Sequence, residues 1–367
     1  MVTRRDLLLG GGAATVAVGS AAWANKNGMG SMADYKAAVA ELRRIPPTAP
    51  ETRDLIRYAT LAPNGHNTQP WLFRPIENGV AILPDFSRRT PVVDPDDHHV
   101  FVSLGCAAEN LSLAAAAAGR AGDIELDPAG DGTVLVRFGT GTSSGGDQAL
   151  FDAIPRRQST RADYDGSTVG ASDLKLLAAA AAVPGVDLAL ITERQQMDRL
   201  RDLVIAGNTA QIGDPAFIAE LKHWLRFSPN AALRTGDGLF SAASGNPALP
   251  EWLGPWLFER VFTVKAETER YSRQIASSAG IAVFVGAEAD PAHWVQVGRA
   301  CQRFALQATA LGLKCAFLNQ PVEVPGLRAD LAALVGMPGR RPDLVMRFGR
   351  GAALPFSARR PLMAVMV

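Results

Sequence analysis

The 367-residue chain carries 37 basic and 36 acidic side chains, a formal net charge of +1, with 47% hydrophobic and 20% charged residues. That composition supplies a sizeable core for one large or two ordinary domains and argues against disorder. It excludes a nucleic-acid binder built on a basic excess, and no acidic tail is present. Three cysteines, Cys106, Cys301 and Cys315, cannot make an even disulfide framework, and their apolar surroundings assign them to core packing.

Residues 1–24 stand apart from the fold. Thr3-Arg4-Arg5-Asp6-Leu7-Leu8-Leu9 leads into an apolar stretch from Leu7 to Ala22, 16 residues rich in glycine and alanine. A membrane span needs roughly 20 apolar residues, and Ala22-Trp23-Ala24 has the small-residue pattern of a cleavage site. The segment resembles a twin-arginine export signal. That resemblance implies passage through the twin-arginine translocase, a periplasmic or otherwise exported protein, and no stable membrane span once mature. Retention as an N-terminal anchor is the alternative.

Leu55, Ile56, Ala59 and Leu61 outline a short helix that runs into Ala62-Pro63-Asn64-Gly65-His66-Asn67-Thr68-Gln69-Pro70-Trp71. Prolines near both ends stiffen this loop, and Gly65 is expected to supply a positive φ. The side-chain amides of Asn64, Asn67 and Gln69 offer donors and acceptors together. Such a loop suits a flat heterocycle with alternating donors and acceptors, such as a flavin pyrimidine ring; a polar helix-to-strand turn is the other reading. His66 within it faces either a substrate or solvent.

Trp71-Leu72-Phe73-Arg74 and Val80-Ala81-Ile82-Leu83 flank Glu77-Asn78-Gly79 and predict a hairpin. Asp94-Pro95-Asp96-Asp97-His98-His99 opens the next helix with acids at its positive end. Adjacent histidines on a helix point about 100° apart and rarely share one ion, so no metal is expected. Phe101 to Gly119 is predicted as an amphipathic helix capped by its glycine. Trp294 to Gly312 repeats it 193 residues later, with Gly105, Leu113 and Gly119 matching Gly298, Leu306 and Gly312. Short strands, 124–126 and 315–318, follow the two helices. Val134-Leu135-Val136-Arg137-Phe138-Gly139 parallels Leu344-Val345-Met346-Arg347-Phe348-Gly349. Two matches in the same order predict a duplicated α+β unit, residues 25–145 and 146–367. The Gly/Ser stretch 139–147 reads as a flexible join.

In the second half, helices are predicted over 172–182, 195–211 and 214–226, and strands over 187–192 and 281–286. A Gly-, Pro- and aromatic-rich insertion, about 213–262, has no counterpart in the first half. Long insertions of this kind are usually lids or binding loops. Its Trp224, Arg226 and Asp237 could form the lid or line a substrate pocket. Before it, Pro155-Arg156-Arg157-Gln158-Ser159-Thr160-Arg161 packs three guanidiniums and two hydroxyls into a short run. Guanidinium forks bind phosphate oxygens bidentately, although alone the cluster describes a solvated surface at least as well. Asn319-Gln320-Pro321 follows the strand 315–318, and Ser357-Ala358-Arg359-Arg360-Pro361 lies near the C-terminus.

Residues 62–71 resemble the flavin-contacting loop of the FMN-dependent nitroreductase superfamily, Ala-Pro-Ser-x-x-Asn-x-Gln-Pro-Trp, with Asn64 where serine is usual. Arg157 to Tyr164 is similar to the superfamily's opening Arg-x-Ser-x-Arg/Lys-x-Phe/Tyr motif. The likeness spans most of residues 50–365 and is to the single-chain, Acg-type branch. It implies a nitroreductase-like α+β fold of two fused repeats, each a sheet flanked by helices. It implies an FMN held by Pro63, Asn64, Gly65, Asn67 and Gln69 from one repeat and Arg157, Gln158, Ser159 and Arg161 from the other. Arg359 or Arg360 would close the phosphate site. Asn319 and Gln320 would lie against the ring, where the usual acidic-Gly pair is absent. Each repeat would thus keep a different piece of one site, Val183-Pro184-Gly185 being a degraded copy of the amide loop.

The implied function is an exported oxidoreductase moving hydride or electrons at flavin N5 to or from a small conjugated substrate. A protein that binds or sequesters FMN without turnover is the alternative, and a flavin-free relic of the fold a third. No side chain is assigned as acid or base. His66, Trp224, Arg226 and Asp237 are the substrate-side candidates.

Overall fold

A computed structural model describes residues 28–44, 50–127, 130–140 and 145–367. The twin-arginine segment and residues 141–144 of the expected join lie outside the described residues. In the first half, α1 (Met32–Glu41) and α2 (Thr52–Thr60) precede the hairpin β1 (Trp71–Ile76) and β2 (Gly79–Pro84), then α3 (His98–Ala117), β3 (Ile124–Leu126) and β4 (Val134–Arg137). The second half runs α4 (Gly145–Ala153), α5 (Ala171–Ala180), β5 (Val186–Ile191), α6 (Arg194–Ile212) and α7 (Pro215–Trp224). Then come β6 (Leu225–Arg226), α8 (Pro229–Thr235), β7 (Leu239–Phe240), α9 (Gly254–Val261), α10 (Val264–Ala276) and β8 (Gly280–Gly286). The chain ends with α11 (Pro291–Ala310), β9 (Lys314–Phe317), α12 (Gln320–Glu323), α13 (Arg328–Leu334) and β10 (Leu344–Gly349). Helix α4 begins inside the segment expected to be a flexible join, because Leu150, Ala153 and Ile154 find a place in the main core.

Two four-stranded sheets share one topology. The first has the order β1-β2-β4-β3 and the second β5-β8-β10-β9, antiparallel throughout. Helix α3 packs on the first sheet, α11 on the second, and the two helices pack on each other, so one core runs through both halves. The helix pair crosses at Gly105 and Gly298. A Cβ on Gly105 would stand 2.1 Å from the Val295 carbonyl oxygen, and one on Gly298 would stand 2.1 Å from that of Val102. The 193-residue spacing seen in the sequence therefore relates the two contacts to each other. Beside the crossing, the Gln302 amide donates to Asn110 Oδ1 at 2.5 Å, and Arg299 and Arg303 both donate to the buried Glu109 carboxylate, at 3.0 and 2.7 Å.

The second sheet has a further layer on its other face. Met197, Leu200 and Val204 of α6, Ile275 of α10 and Leu331 of α13 cover Ile281, Val283, Val285 and Val345. With both faces covered, β8 is apolar at every position between its two glycines, while β1 alternates in burial. The C-terminus then ties the halves together. The C-terminal residues pair with β1, through Phe73 N to Val365 O at 2.7 Å and Val367 N to Phe73 O at 3.0 Å. Residues 159–160 pair with β9, through Thr160 N to Cys315 O at 2.7 Å. These two additions carry Arg359 and the arginine motif to the end of α2, where the amide loop begins.

Candidate functional site

Helix α2 ends at Thr60, leaving carbonyls of its last turn without intrahelical partners at the negative end of the helix dipole. Guanidiniums from both motifs fill that gap. Arg359 Nε donates to Thr60 O at 2.6 Å, and its Nη2 to Leu61 O and Ala62 O at 3.2 and 3.1 Å. Arg157 Nη2 donates to the same Leu61 O at 3.1 Å. Arg43, in the turn after α1, joins the cluster, with Nη1 on Val39 O at 3.3 Å and its guanidinium over the Phe356 ring. Burial, reinforced by its arginine neighbours, holds Arg359 well below the usual range; burial and then Arg157 bring Arg43 down to about 9.

The amide loop meets this cluster from the other side. Asn67 Nδ2 donates to Gly238 O at 3.0 Å and Ala358 O at 3.2 Å, while its Oδ1 accepts from Arg359 Nη1 at 2.9 Å. Gln69 is fully buried, donating to Gly236 O at 2.9 Å and accepting from Arg360 N at 2.9 Å. Asn64 Oδ1 accepts from Gln69 N at 2.8 Å. The expected meeting of the amide loop, the arginine motif and the C-terminal motif therefore occurs. Its chemistry differs from the expectation: Asn67, Gln69, Arg157 and Arg359 bond protein groups. Asn67→Ala should accordingly lower stability in urea by about 1–3 kcal/mol with or without cofactor, because three buried partners lose their bonds.

The loop's backbone is strained where the sequence did not indicate it. Gly65 is not the residue at positive φ; His66 (45°), Asn67 (56°) and Gln69 (56°) are. Left-handed backbone costs a non-glycine residue on the order of 1 kcal/mol, and such costs gather where a loop has a task. The bonds of Asn67 and Gln69 just described hold the strain. Gly65 has another use: a Cβ there would meet no protein atom within 4 Å, which leaves its backbone open to a ligand.

That open side is the wall of a cavity of about 510 Å³, within the range of small-molecule and cofactor sites. Pro63, Asn64, Gly65 and His66 form one part, Arg161 and Arg270 another, and Asn319 and Gln320 a third. The insertion covers it with Phe227, Leu249, Leu257, Phe258 and Phe262. Arg161 has no hydrogen bond or ion pair from its side chain among the described residues. Burial and the neighbouring Arg270 guanidinium lower its pKa. An unpaired, partly buried guanidinium in a cavity wall invites an anion. Asn319 Oδ1 accepts from Val345 N at 3.0 Å, and Gln320 Nε2 donates to Tyr271 Oη at 2.6 Å, so both are held in place.

The other candidates lie outside the cavity lining. Gln158 clamps the chain near the C-terminus, exchanging two bonds with Leu354 at 2.7 and 3.0 Å. Ser159 sits in the bridge to Cys315. Arg360 turns away toward Gln69 O, Asp85 and Ala364 O. Arg226 Nη2 donates to Asp237 Oδ1 at 2.7 Å, Arg88 pairs with the same carboxylate, and Arg88 also lies over the Trp224 ring. Burial raises the Asp237 carboxyl, but bonds from Arg226 and Arg88 hold it below its ordinary value. Since Arg88 Nε also donates to Thr68 O at 2.5 Å, this network braces the insertion against the amide loop.

Sequence reading missed several lining residues: His99, Asn208, Gln211, Arg270, Tyr271 and Glu323. They come one or two at a time from four helices and form no local motif. His98 and His99, read as unsuited to one ion, lie with Asp94 so that one ligand atom of each falls within 4.8 Å. The Asp94 carboxylate is already engaged by backbone groups, while His99 Nε2 is buried without a hydrogen-bond partner. Asp94 accepts His99 N and Val100 N, both oxygens engaged at 3.0 Å with His99 N, and His98 Nε2 lies 2.9 Å from Asp343 Oδ1. All three cysteines are buried and free.

His66 projects into this setting with a buried, unpartnered Nδ1. Burial, then Arg161 and His99, push it down to about 4, so it is neutral near pH 7. An unfolded chain takes up a proton near pH 6.5 that the folded His66 refuses until about 4. Stability therefore falls as the pH is lowered through that window. His66→Asn, which keeps a residue tolerant of left-handed backbone, should flatten the urea midpoint against pH there by up to about 3 kcal/mol. An unchanged slope would show that the imidazole is not shielded.

No family model matches the chain. A protein of Mycobacterium tuberculosis H37Rv provisionally named NAD(P)H nitroreductase Rv3131 is 27% identical over 333 residues, covering 87% of this chain and 92% of that protein. A second from the same organism, provisionally named NAD(P)H nitroreductase Acg, is 24% identical over 84% of this chain and 93% of its own. Among solved structures, the similar chains include a nitroreductase with bound FMN from Desulfitobacterium hafniense, with 18% identity, 58% and 93% coverage and a TM-score of 0.37. Another is the FMN-dependent nitroreductase NfnB of Mycobacterium smegmatis in complex with NADPH, with 14% identity, 56% and 88% coverage and a TM-score of 0.35. The fold is α+β, two antiparallel four-stranded sheets flanked by helices. The likeness to the two mycobacterial proteins runs along 87% and 84% of this chain and along more than nine-tenths of each of theirs.

Proposed function

We propose that the chain is an exported FMN-dependent oxidoreductase whose cofactor site is the cavity between the amide loop, Arg161 and the Asn319–Gln320 turn. The observation that carries this is Arg161, a guanidinium lining the cavity without a protein partner among the described residues. The residues fit the group in two further ways: the Gly65 backbone is open to a close approach, and the volume accepts a tricyclic ring. FMN, when bound, supplies hydride transfer at N5. Arg161 would hold negative charge on the cofactor, the strained loop would fix its orientation, and the aromatic cover from the insertion would exclude water. His66, neutral near pH 7, would offer hydrogen bonding without a second positive charge beside Arg161.

The relatives' provisional names support an NAD(P)H-linked nitroreductase reading. Export through the twin-arginine route would remove the protein from cytosolic NAD(P)H and call for another reductant. We further propose that the chain arose by duplication, since both sheets share one strand order and the helix pair crosses through two glycines 193 residues apart. Each half would then contribute one part of a single site. The test is the absorption spectrum of the purified mature protein, before and after anaerobic reduction and re-exposure to an acceptor. A flavin band that survives gel filtration, bleaches and returns is the expected result. A colourless protein that ignores added FMN would overturn the proposal, and a bound but inert flavin would favour sequestration.

A further inference from the structure

One wall of the cavity reaches past the flavin site, sharing only Gln320 with it in the reading above. Asn208 and Gln211 of α6 and Gln320 and Glu323 of α12 share it. The two helices touch closely, since a Cβ on Gly207 would come within 2.9 Å of the Gln320 carbonyl group. Glu323 accepts one hydrogen bond, from Gln211 Nε2 at 2.6 Å, and pairs with no cation among the described residues. The other carboxylate of the lining, Glu267, has Arg270 at 3.5 Å. Two buried polar atoms on the same wall also lack partners, Asn208 Nδ2 and Gln320 Oε1, and Asn208 is only 3% exposed. Burial raises the Glu323 carboxyl, and Asp94 and Glu220 add to that, with His99 and the Gln211 bond opposing them.

A partly buried carboxylate without a counter-ion is costly to keep ionised, and an anionic ligand would worsen it. A ligand cation relieves it, and Gln320 Oε1 offers that cation a second acceptor. Asn208 Nδ2 calls for an oxygen acceptor close by on the same ligand. The lining also holds an apolar cluster, Phe217, Leu221, Phe258 and Phe262. We infer that Asn208, Gln211, Gln320 and Glu323 form a recognition subsite for the ammonium group of a small amine with an apolar body. Its role as the substrate end of the cavity rests on the cofactor reading; its preference for an amine does not.

The test uses two probes with the same body, 2-phenylethylamine and 2-phenylethanol, titrated calorimetrically at pH 7 into the mature protein with and without FMN. The amine should bind tighter by about tenfold to a hundredfold, the worth of one charge-assisted hydrogen bond in a dry site. E323Q should bring the amine down to the affinity of the alcohol and leave the alcohol unchanged. Equal affinities in the wild type, a preference for the alcohol, or an amine preference that survives E323Q would overturn the inference. A melting curve checks that E323Q folds; if it does not, the wild-type ratio decides alone. Loss of the amine preference with flavin content intact would remove the subsite and leave the cofactor reading standing. A protein that never takes up FMN yet prefers the amine would do the reverse.

Discussion

Arg161→Met should strip the protein of FMN while leaving the ligand-free fold as stable as before, or more so. The argument rests on what the side chain lacks. Its guanidinium has no partner to lose, and its charge is opposed by burial and by Arg270. Removing it relieves the ligand-free protein of an uncompensated cation. In the loaded protein the same change deletes one half of a buried charge pair, expected to cost about 3 kcal/mol or a factor of about 150 in affinity. Arg157→Met makes the contrast. Arg157 is buried with Nη2 on Leu61 O, so its loss should lower the melting temperature first, with flavin loss following only from the damaged fold. Flavin content after gel filtration and the ligand-free melting temperature, measured on both variants, separate the two roles. Wild-type flavin retention in Arg161→Met would remove Arg161 from the site.

That contrast was not visible in the sequence, where Arg157, Ser159 and Arg161 alternate along one extended run and look equivalent. Which of them meets the cavity depends on partners far away in the chain: the end of α2 for Arg157 and β9 for Ser159. Regular elements were much more legible. The helix expected from Phe101 is α3 (His98–Ala117), and the one expected from Trp294 is α11 (Pro291–Ala310). The hairpin and the strands 124–126, 187–192 and 281–286 lie within a residue or so of expectation, because periodicity and turn residues are local signals. Helices α1 and α10 went unread. The first is rich in alanine and is held by Tyr35 and Val39 against the insertion; the second shows mainly Ile275 to the core. Positive φ was expected at Gly65 by residue type, yet tertiary bonds to Asn67 and Gln69 override that preference. The polar cavity wall could not have been read at all, since Asn208, Gln211 and Glu323 acquire meaning only once α6 and α12 meet.

Gly105→Ala and Gly298→Ala should each destabilise the protein by about 3 kcal/mol or more, at the upper end of what overpacking a core costs. The new methyl would sit 2.1 Å from a carbonyl oxygen of the facing helix in either case. A flexible side chain could yield, but a backbone carbonyl moves only if α3 and α11 separate. Separation would stretch the Asn110–Gln302 bond and the Glu109 bridges together. It would also move Val102, Ser103 and Cys106, which belong to the cavity lining, so flavin affinity should fall along with stability. Gly326→Ala is the control, since a Cβ there meets nothing within 4 Å and φ is not positive. Urea midpoints for the three variants give the comparison: two large losses of similar size and one near zero. The equality matters as much as the size. If the halves descend from one unit, the two glycines occupy one position twice, and a strong loss at one with none at the other would mean that the crossing is not the shared contact described for it.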